Sequence, residues 1–260
     1  MGRYGTHFGR LNSWWKFVPA WIDYLSRSQF LLQQGKTVTD IGFLFYNDIR
    51  YSSPGSMTKT PDGVDYMACY PKNLKDMECC NGQIVVPNGP SFKVLVLPDH
   101  PFMSLEALQQ IRRLIQAGAT VAGNPPVAPP GLQDFVKGKT EFDELVSELW
   151  GGLDENATTV KSIGNGTLFL AQPLEQIGQQ INLLPDIRFT PTPEDGTVRY
   201  IHRRVASEDV YFIANQTDDA VAFDTQFRVT GKTPELWDPA TGQRWDAPRF
   251  VVNEATTNLS

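Results

Sequence analysis

His7, Arg10, Asn12, Trp14 and Trp15 crowd hydrogen-bonding side chains and two indole faces into one short segment. Sugars present hydroxyls and flat C–H faces, so a sugar site uses both kinds of group. This segment therefore reads as a candidate carbohydrate contact. The same residues have a plainer reading, in which Trp14 and Trp15 anchor the helix that follows.

Other chemistry is poorly supported by residue types and spacing. His7, His100 and His202 lie far apart, without the i, i+4 histidine pair of a helical metal site. His100 follows an apolar strand, where a site residue could sit, but between Asp99 and Pro101 it reads better as a loop cap. Glu141, Asp143, Glu144 and Glu148 have the spacing of a solvated helix face rather than a catalytic carboxylate pair. No glycine-rich phosphate loop follows any strand. A thiol hydrolase needs cysteine on a tight strand-to-helix turn, but the strand ending at Ala122 runs into Gly123-Asn124-Pro125-Pro126. Cys69, Cys79 and Cys80 fall elsewhere and read as free thiols of a reducing compartment.

The elements that would position these groups follow from periodicity. Pro19 suits a helix start, and Trp21, Ile22, Leu25, Phe30, Leu31 and Leu32 recur at roughly helical spacing up to Gly35. Residues 38–46 read as a buried strand, 47–63 as a surface loop, and 64–80 as partly helical around Tyr66, Leu74 and Met77. Asn81-Gly82 and Asn88-Gly89 are turn signals around a short strand. Residues 92–97 form an apolar strand. Ser104 then caps a helix whose Leu105, Leu108, Ile111, Leu114 and Ile115 make one stripe, and residues 119–122 return as a strand. This strand–helix–strand unit predicts a parallel α/β fold. A further helix is expected over 141–150, a strand over 167–171 and a short helix over 174–181. Past the Pro-rich stretch 190–196 the pattern changes to period two, which predicts a small antiparallel β-domain.

Composition fits a globular chain. Of 260 residues 41% are hydrophobic and 20% charged, with a net charge of −6. That mild acidity argues against a broad nucleic-acid face. No apolar stretch is long enough to span a bilayer, and the first ten residues lack the apolar core of a secretory signal.

The order of motifs resembles the glycoside hydrolase family 106 α-L-rhamnosidases. The residues that carry the resemblance begin with Gly-Thr-His-Phe-Gly-Arg-Leu-Asn-Ser-Trp-Trp at 5–15 and continue with Phe-Lys-Val-Leu-Val-Leu-Pro at 92–98. Tyr-Ile-His-Arg-Arg at 200–204, Val-Tyr-Phe-Ile-Ala-Asn-Gln-Thr at 210–217 and Glu-Leu-Trp-Asp-Pro-Ala-Thr-Gly at 235–242 complete it. The resemblance implies the C-terminal part of such an enzyme. Residues 1–35 would end a (β/α)8 barrel, 36–190 would form an amidotransferase-like, Rossmann-like α/β domain without a site of its own, and 197–260 would begin a β-sandwich. It implies hydrolysis of terminal α-L-rhamnosides with inversion, a calcium ion in the active centre, and catalytic carboxylates earlier in the barrel. No position here inherits those carboxylates or that calcium. His7, Arg10 and Asn12 would then donate to rhamnose hydroxyls, with Trp14 or Trp15 as a wall. The expected partner is a rhamnose-containing carbohydrate, with no nucleic acid or membrane. The alternative is a non-catalytic carbohydrate-binding or oligomerisation module, for which a homo-oligomer is the expected form.

Overall fold

The computed structural model describes residues 8–45, 60–130, 138–154, 156, 159–170, 172–194 and 196–260. It divides into two compact units, one of residues 37–187 and one of residues 1–36 with 188–260.

The first unit is built on a six-stranded sheet. Its strands are β2 (Ile41–Leu44), β3 (Tyr66–Cys69), β7 (Val94–Val96), β8 (Thr120–Ala122), β9 (Val160–Ile163) and β10 (Gly166–Phe169), in the order β3-β2-β7-β8-β10-β9. The neighbours from β3 to β10 run parallel, while β9 pairs antiparallel with β10. The sheet is thus mixed, which corrects the purely parallel expectation. The turn Gly164–Asn165 connects β9 directly to β10, and so short a link can join only antiparallel neighbours. The order reverses between β2 and β7, as in doubly wound sheets.

Strand alternation sorts the core onto two faces. Leu95, Val121 and Leu168 point to one side, where α2 (Leu105–Gln116) and α3 (Lys139–Trp150) bury Leu108, Ile111, Leu114, Phe142 and Leu149. Val94, Val96 and Phe169 point to the other, against Leu174 and Ile177 of α4 (Leu174–Gln180). The Ser104 hydroxyl caps α2 by accepting from Ala107 N–H at 3.2 Å. Glu141, Asp143, Glu144 and Glu148 face solvent on α3, as their spacing predicts.

Segment 64–80 departs from its partly helical expectation. It forms β3, a 3-10 turn at Pro71–Asp76 and β4 (Glu78–Cys80). Parallel pairing of β3 with β2 overrides the weak helical spacing, and Pro71 can start a turn but cannot continue a helix. β4 joins β5 (Gln83–Val85) through Asn81-Gly82, both at positive φ, and β6 (Ser91–Phe92) completes this small sheet. The expected strand over 92–97 is divided between β6 and β7. Phe92 is buried, and its ring occupies the space over Gly42 in the central strand β2, where an added Cβ would lie 2.6 Å from the ring.

The second unit holds α1 (Val18–Leu32), preceded by a 3-10 turn at Trp15–Phe17, and the antiparallel strands after residue 187. Strands β12 (Val198–Val205) and β13 (Glu208–Asn215) make a long hairpin. β11 (Ile187–Thr190), β14 (Asp224–Phe227), β17 (Phe250–Val252) and β18 (Thr257–Leu259) form a sheet of order β11-β14-β18-β17, and β15 (Glu235–Trp237) pairs with β16 (Arg244–Asp246). The remaining strand, β1 (Lys36–Thr37), lies where the units meet in sequence. Helix α1 is fixed to this unit at two places. Arg27 donates to the carbonyls of Pro239 and Ala240 at 3.0 and 2.9 Å, and Arg203 donates to the carbonyls of Gln34 and Gly35, both at 2.9 Å. Gly35 has φ +58°, and an added Cβ would meet the Arg204 carbonyl oxygen at 2.0 Å, so glycine is required there.

Candidate functional site

The N-terminal segment folds back on α1. Trp15 N–H donates to the Asn12 carbonyl at 3.0 Å, and Asn12 N–H donates to that of Gly9 at 2.9 Å. These turns bring the Phe8 ring against Trp14, edge on at 5.4 Å, and against Trp21, stacked at 5.3 Å. Phe8, Trp14, Phe17, Val18 and Trp21 line an open groove of about 370 Å³.

The sequence candidates do not all meet there. His7 lies outside the described residues. Trp14 is a wall of the groove. Trp15 starts the 3-10 turn and is not among the lining residues, and neither are Arg10 and Asn12. Arg10 is exposed and Asn12 half-buried. Phe8, Phe17 and Trp21 were not singled out as wall residues; their aromatic character was visible, but the fold-back that gathers them was not.

The groove walls carry no titratable side chain. They can stack, exclude water or attract a cation to a ring face, as the Lys16 ammonium lies 4.9 Å from the Phe17 ring centroid, but they cannot transfer a proton. Among the described residues no group of three or more His, Cys, Asp or Glu converges to hold a metal ion.

His100 turns inward on its own loop, where its Nδ1 accepts from Phe102 N–H at 3.1 Å. It is a loop cap, as its setting between Asp99 and Pro101 suggests. Cys69 is buried at the end of β3, and burial pushes its thiol up to about 12, which leaves it unreactive at neutral pH.

One polar cluster escaped the sequence reading. His202 is fully buried on β12, stacked on Tyr211 at 3.9 Å, with Nε2 2.8 Å from Asp209 Oδ1. Arg204 Nε donates to the same oxygen at 2.9 Å, and the Lys232 ammonium pairs with Oδ2. Burial pushes the Asp209 carboxyl up, but Lys232, His202 and Arg204 outweigh it and hold it below the usual carboxylate range. The cluster ties the two strands of the hairpin together and to Lys232.

Comparison with known proteins places these features. The glycoside hydrolase 106 family, described as alpha-L-rhamnosidase, matches residues 1–248. A protein named "Putative beta-glucuronidase" from Formosa agariphila is 34% identical over 245 residues, which cover 92% of this chain and 19% of that protein. The solved structure of a rhamnosidase from Novosphingobium sp. PP1Y matches with a TM-score of 0.85 at 29% identity, over 98% of this chain and 24% of that one. A beta-galactosidase from Bacillus circulans sp. alkalophilus matches with a TM-score of 0.50 at 10% identity, over 91% of this chain and 43% of that one, a likeness of fold alone. The chain spans about a fifth of the curated relative and about a quarter of the rhamnosidase. Among the described residues no helix is long and apolar enough to cross a membrane.

Proposed function

Because the chain belongs to the glycoside hydrolase 106 family, we propose that it is a non-catalytic part of an enzyme that hydrolyses terminal α-L-rhamnosides. The observation that carries this reading is the groove on α1, aromatic and without a titratable wall, in a chain a quarter the length of a related rhamnosidase. Inverting hydrolysis needs one carboxylic acid to protonate the leaving oxygen and one carboxylate to activate water. In this reading another stretch of polypeptide supplies both and packs on α1. Trp14 then forms part of a wall near the sugar, and Arg10 and Asn12 lie within reach of its hydroxyls.

The α/β unit has a supporting role in this proposal. Its strand order around β2 and β7 fits an amidotransferase-like domain, and its sequence after β8, Gly123-Asn124-Pro125-Pro126, supplies no nucleophile.

The test is direct. Purified chain incubated with an aryl α-L-rhamnoside is expected to release the aryl group no faster than buffer. Turnover well above that background, from protein free of contaminating glycosidase, overturns the non-catalytic reading.

Apolar side chains exposed on and just before α1 favour a second reading, an association module. Phe17, Trp21, Ile22 and Phe30 are 65, 46, 44 and 66% exposed, and Phe17 and Trp21 share the groove. Exposed apolar surface of this kind marks interfaces. The isolated chain is expected to self-associate in light scattering at concentrations on the order of tens of micromolar, a weak affinity for an apolar patch. Trp21→Arg combined with Phe30→Arg should return it to a monomer. A wild-type chain that stays monomeric at those concentrations removes the oligomerisation reading.

A further inference from the structure

β15 and β16 pair in the register Glu235↔Asp246, Leu236↔Trp245 and Trp237↔Arg244. Antiparallel partners share a face, and so do residues two apart on one strand. Glu235, Trp237, Arg244 and Asp246 therefore form one patch, and all four are exposed. Two of its features run against stability. Trp237 leaves 51% of its surface to water, although burying an indole would be favourable. Glu235 and Asp246 stand directly opposite each other, an arrangement that disfavours strand pairing. Local choices that oppose folding are the expected mark of a functional site.

The patch is also preorganised. Trp237 Nε1 donates to Glu235 Oε2 at 3.0 Å, which fixes the plane of the ring and uses its one donor. The Arg244 guanidinium lies over one face of the ring, 5.8 Å from its centroid, so a ligand has the opposite face to stack on. The turn behind is held from both sides. Asp238 accepts from Ala240 N–H at 2.8 Å and from the Thr241 hydroxyl at 2.6 Å, while Arg27 of α1 binds the Pro239 and Ala240 carbonyls.

We propose that Trp237, framed by Glu235, Arg244 and Asp246, is a binding platform for a neutral pyranoside. The indole face takes the C–H face of the sugar ring. Asp246 and the free oxygen of Glu235 accept from sugar hydroxyls, and Arg244 donates to a hydroxyl or ring oxygen. Two carboxylates beside one guanidinium select against uronates and sulfated sugars. The site is shallow and wet, so its affinity is on the order of millimolar, typical of one stacked ring with few hydrogen bonds. The choice of a rhamnoside as first probe rests on the function proposed above; the platform itself does not.

The ¹⁵N-labelled full chain is titrated with methyl α-L-rhamnopyranoside, methyl β-D-galactopyranoside and glucuronate. The indole N–H signal of Trp237 is assigned by its loss in Trp237→Phe. A saturable shift of that signal is expected with the rhamnoside and not with glucuronate. Asp246→Asn, which keeps Trp237 and its bond to Glu235, should weaken the response roughly tenfold, the effect of losing one charge-assisted hydrogen bond. Trp245→Phe, on the opposite face, should leave it unchanged. No shift with any neutral sugar up to about 100 mM, far above a millimolar midpoint, overturns the platform. An equal response to glucuronate overturns its selectivity for neutral sugars. Binding of the galactoside without the rhamnoside supports the platform and counts against the rhamnoside reading.

Discussion

Asp209→Ala is expected to destabilise the unit that contains it by about 3 kcal/mol, the lower end of the 3–5 kcal/mol typical for removing one partner of a buried charged pair. The carboxylate is 5% exposed and meets three donors. Two of them can recover water, because the side chains of Arg204 and Lys232 are 54 and 40% exposed. The His202 ring is wholly buried, so it loses the Asp209 oxygen with no solvent to replace it. Asp209→Asn keeps an oxygen for that contact and loses only the charge, so it should cost about half as much. Urea unfolding followed by Trp fluorescence reads both, and a shift in midpoint of about 1 M or more is expected for the alanine variant. The sign of the pH dependence follows from the lowered Asp209 pKa. Its contribution is full above the unfolded carboxylate value of about 3.9 and disappears as pH falls through the lower folded value. The difference between wild type and Asp209→Ala should therefore be constant near neutral pH and shrink only in strong acid. An alanine variant within about 0.5 kcal/mol of wild type, the range of an ordinary surface substitution, would show that the cluster does not hold the hairpin.

Phe92→Ala should cost about 3–5 kcal/mol in the α/β unit, as for other fully buried aromatics. The ring is 1% exposed and packs over Gly42 in the central strand. Gly42→Ala forces a methyl to 2.6 Å from that ring and should cost about 1–3 kcal/mol by overpacking. The two sites share one space, so their effects should not add. Gly42→Ala placed in the Phe92→Leu background is expected to be less harmful than in the wild type, by about 0.5 kcal/mol or more. Simple additivity in that double-mutant cycle would mean that the backbone shifts to accommodate the methyl.

Parts of this architecture were legible because local and tertiary signals agree. The Ser104 cap, the stripe from Leu105 to Ile115 and the glycine at 118 specify α2 with little outside help. Asn81-Gly82 announces its turn. Ala206, by contrast, takes φ +53° between β12 and β13 with no glycine or asparagine to signal it, because the eight-residue ladder on either side imposes the turn. β9 escaped notice because its alternation is weak and its place is fixed by pairing with β10. At the candidate site, Trp14 was visible as an aromatic face, whereas Phe8 and Trp21 join it only through the fold-back. The partners of His202 were hidden for a similar reason. Asp209 lies seven residues away and is brought in by the hairpin, whereas Lys232 lies thirty away and arrives from the loop between β14 and β15.

Helix α1 and the strands after residue 187 form one unit, although the whole α/β segment 37–187 separates them in sequence. During synthesis, therefore, α1 must wait. Arg27 and the Gln34 carbonyl gain their partners only after Arg203, Pro239 and Ala240 have left the ribosome. The α/β segment is made in full by residue 187 and can fold in the interval. Until residue 240 is made, α1 lacks these partners, and a chaperone or an early partner would protect its exposed Trp21 and Phe30.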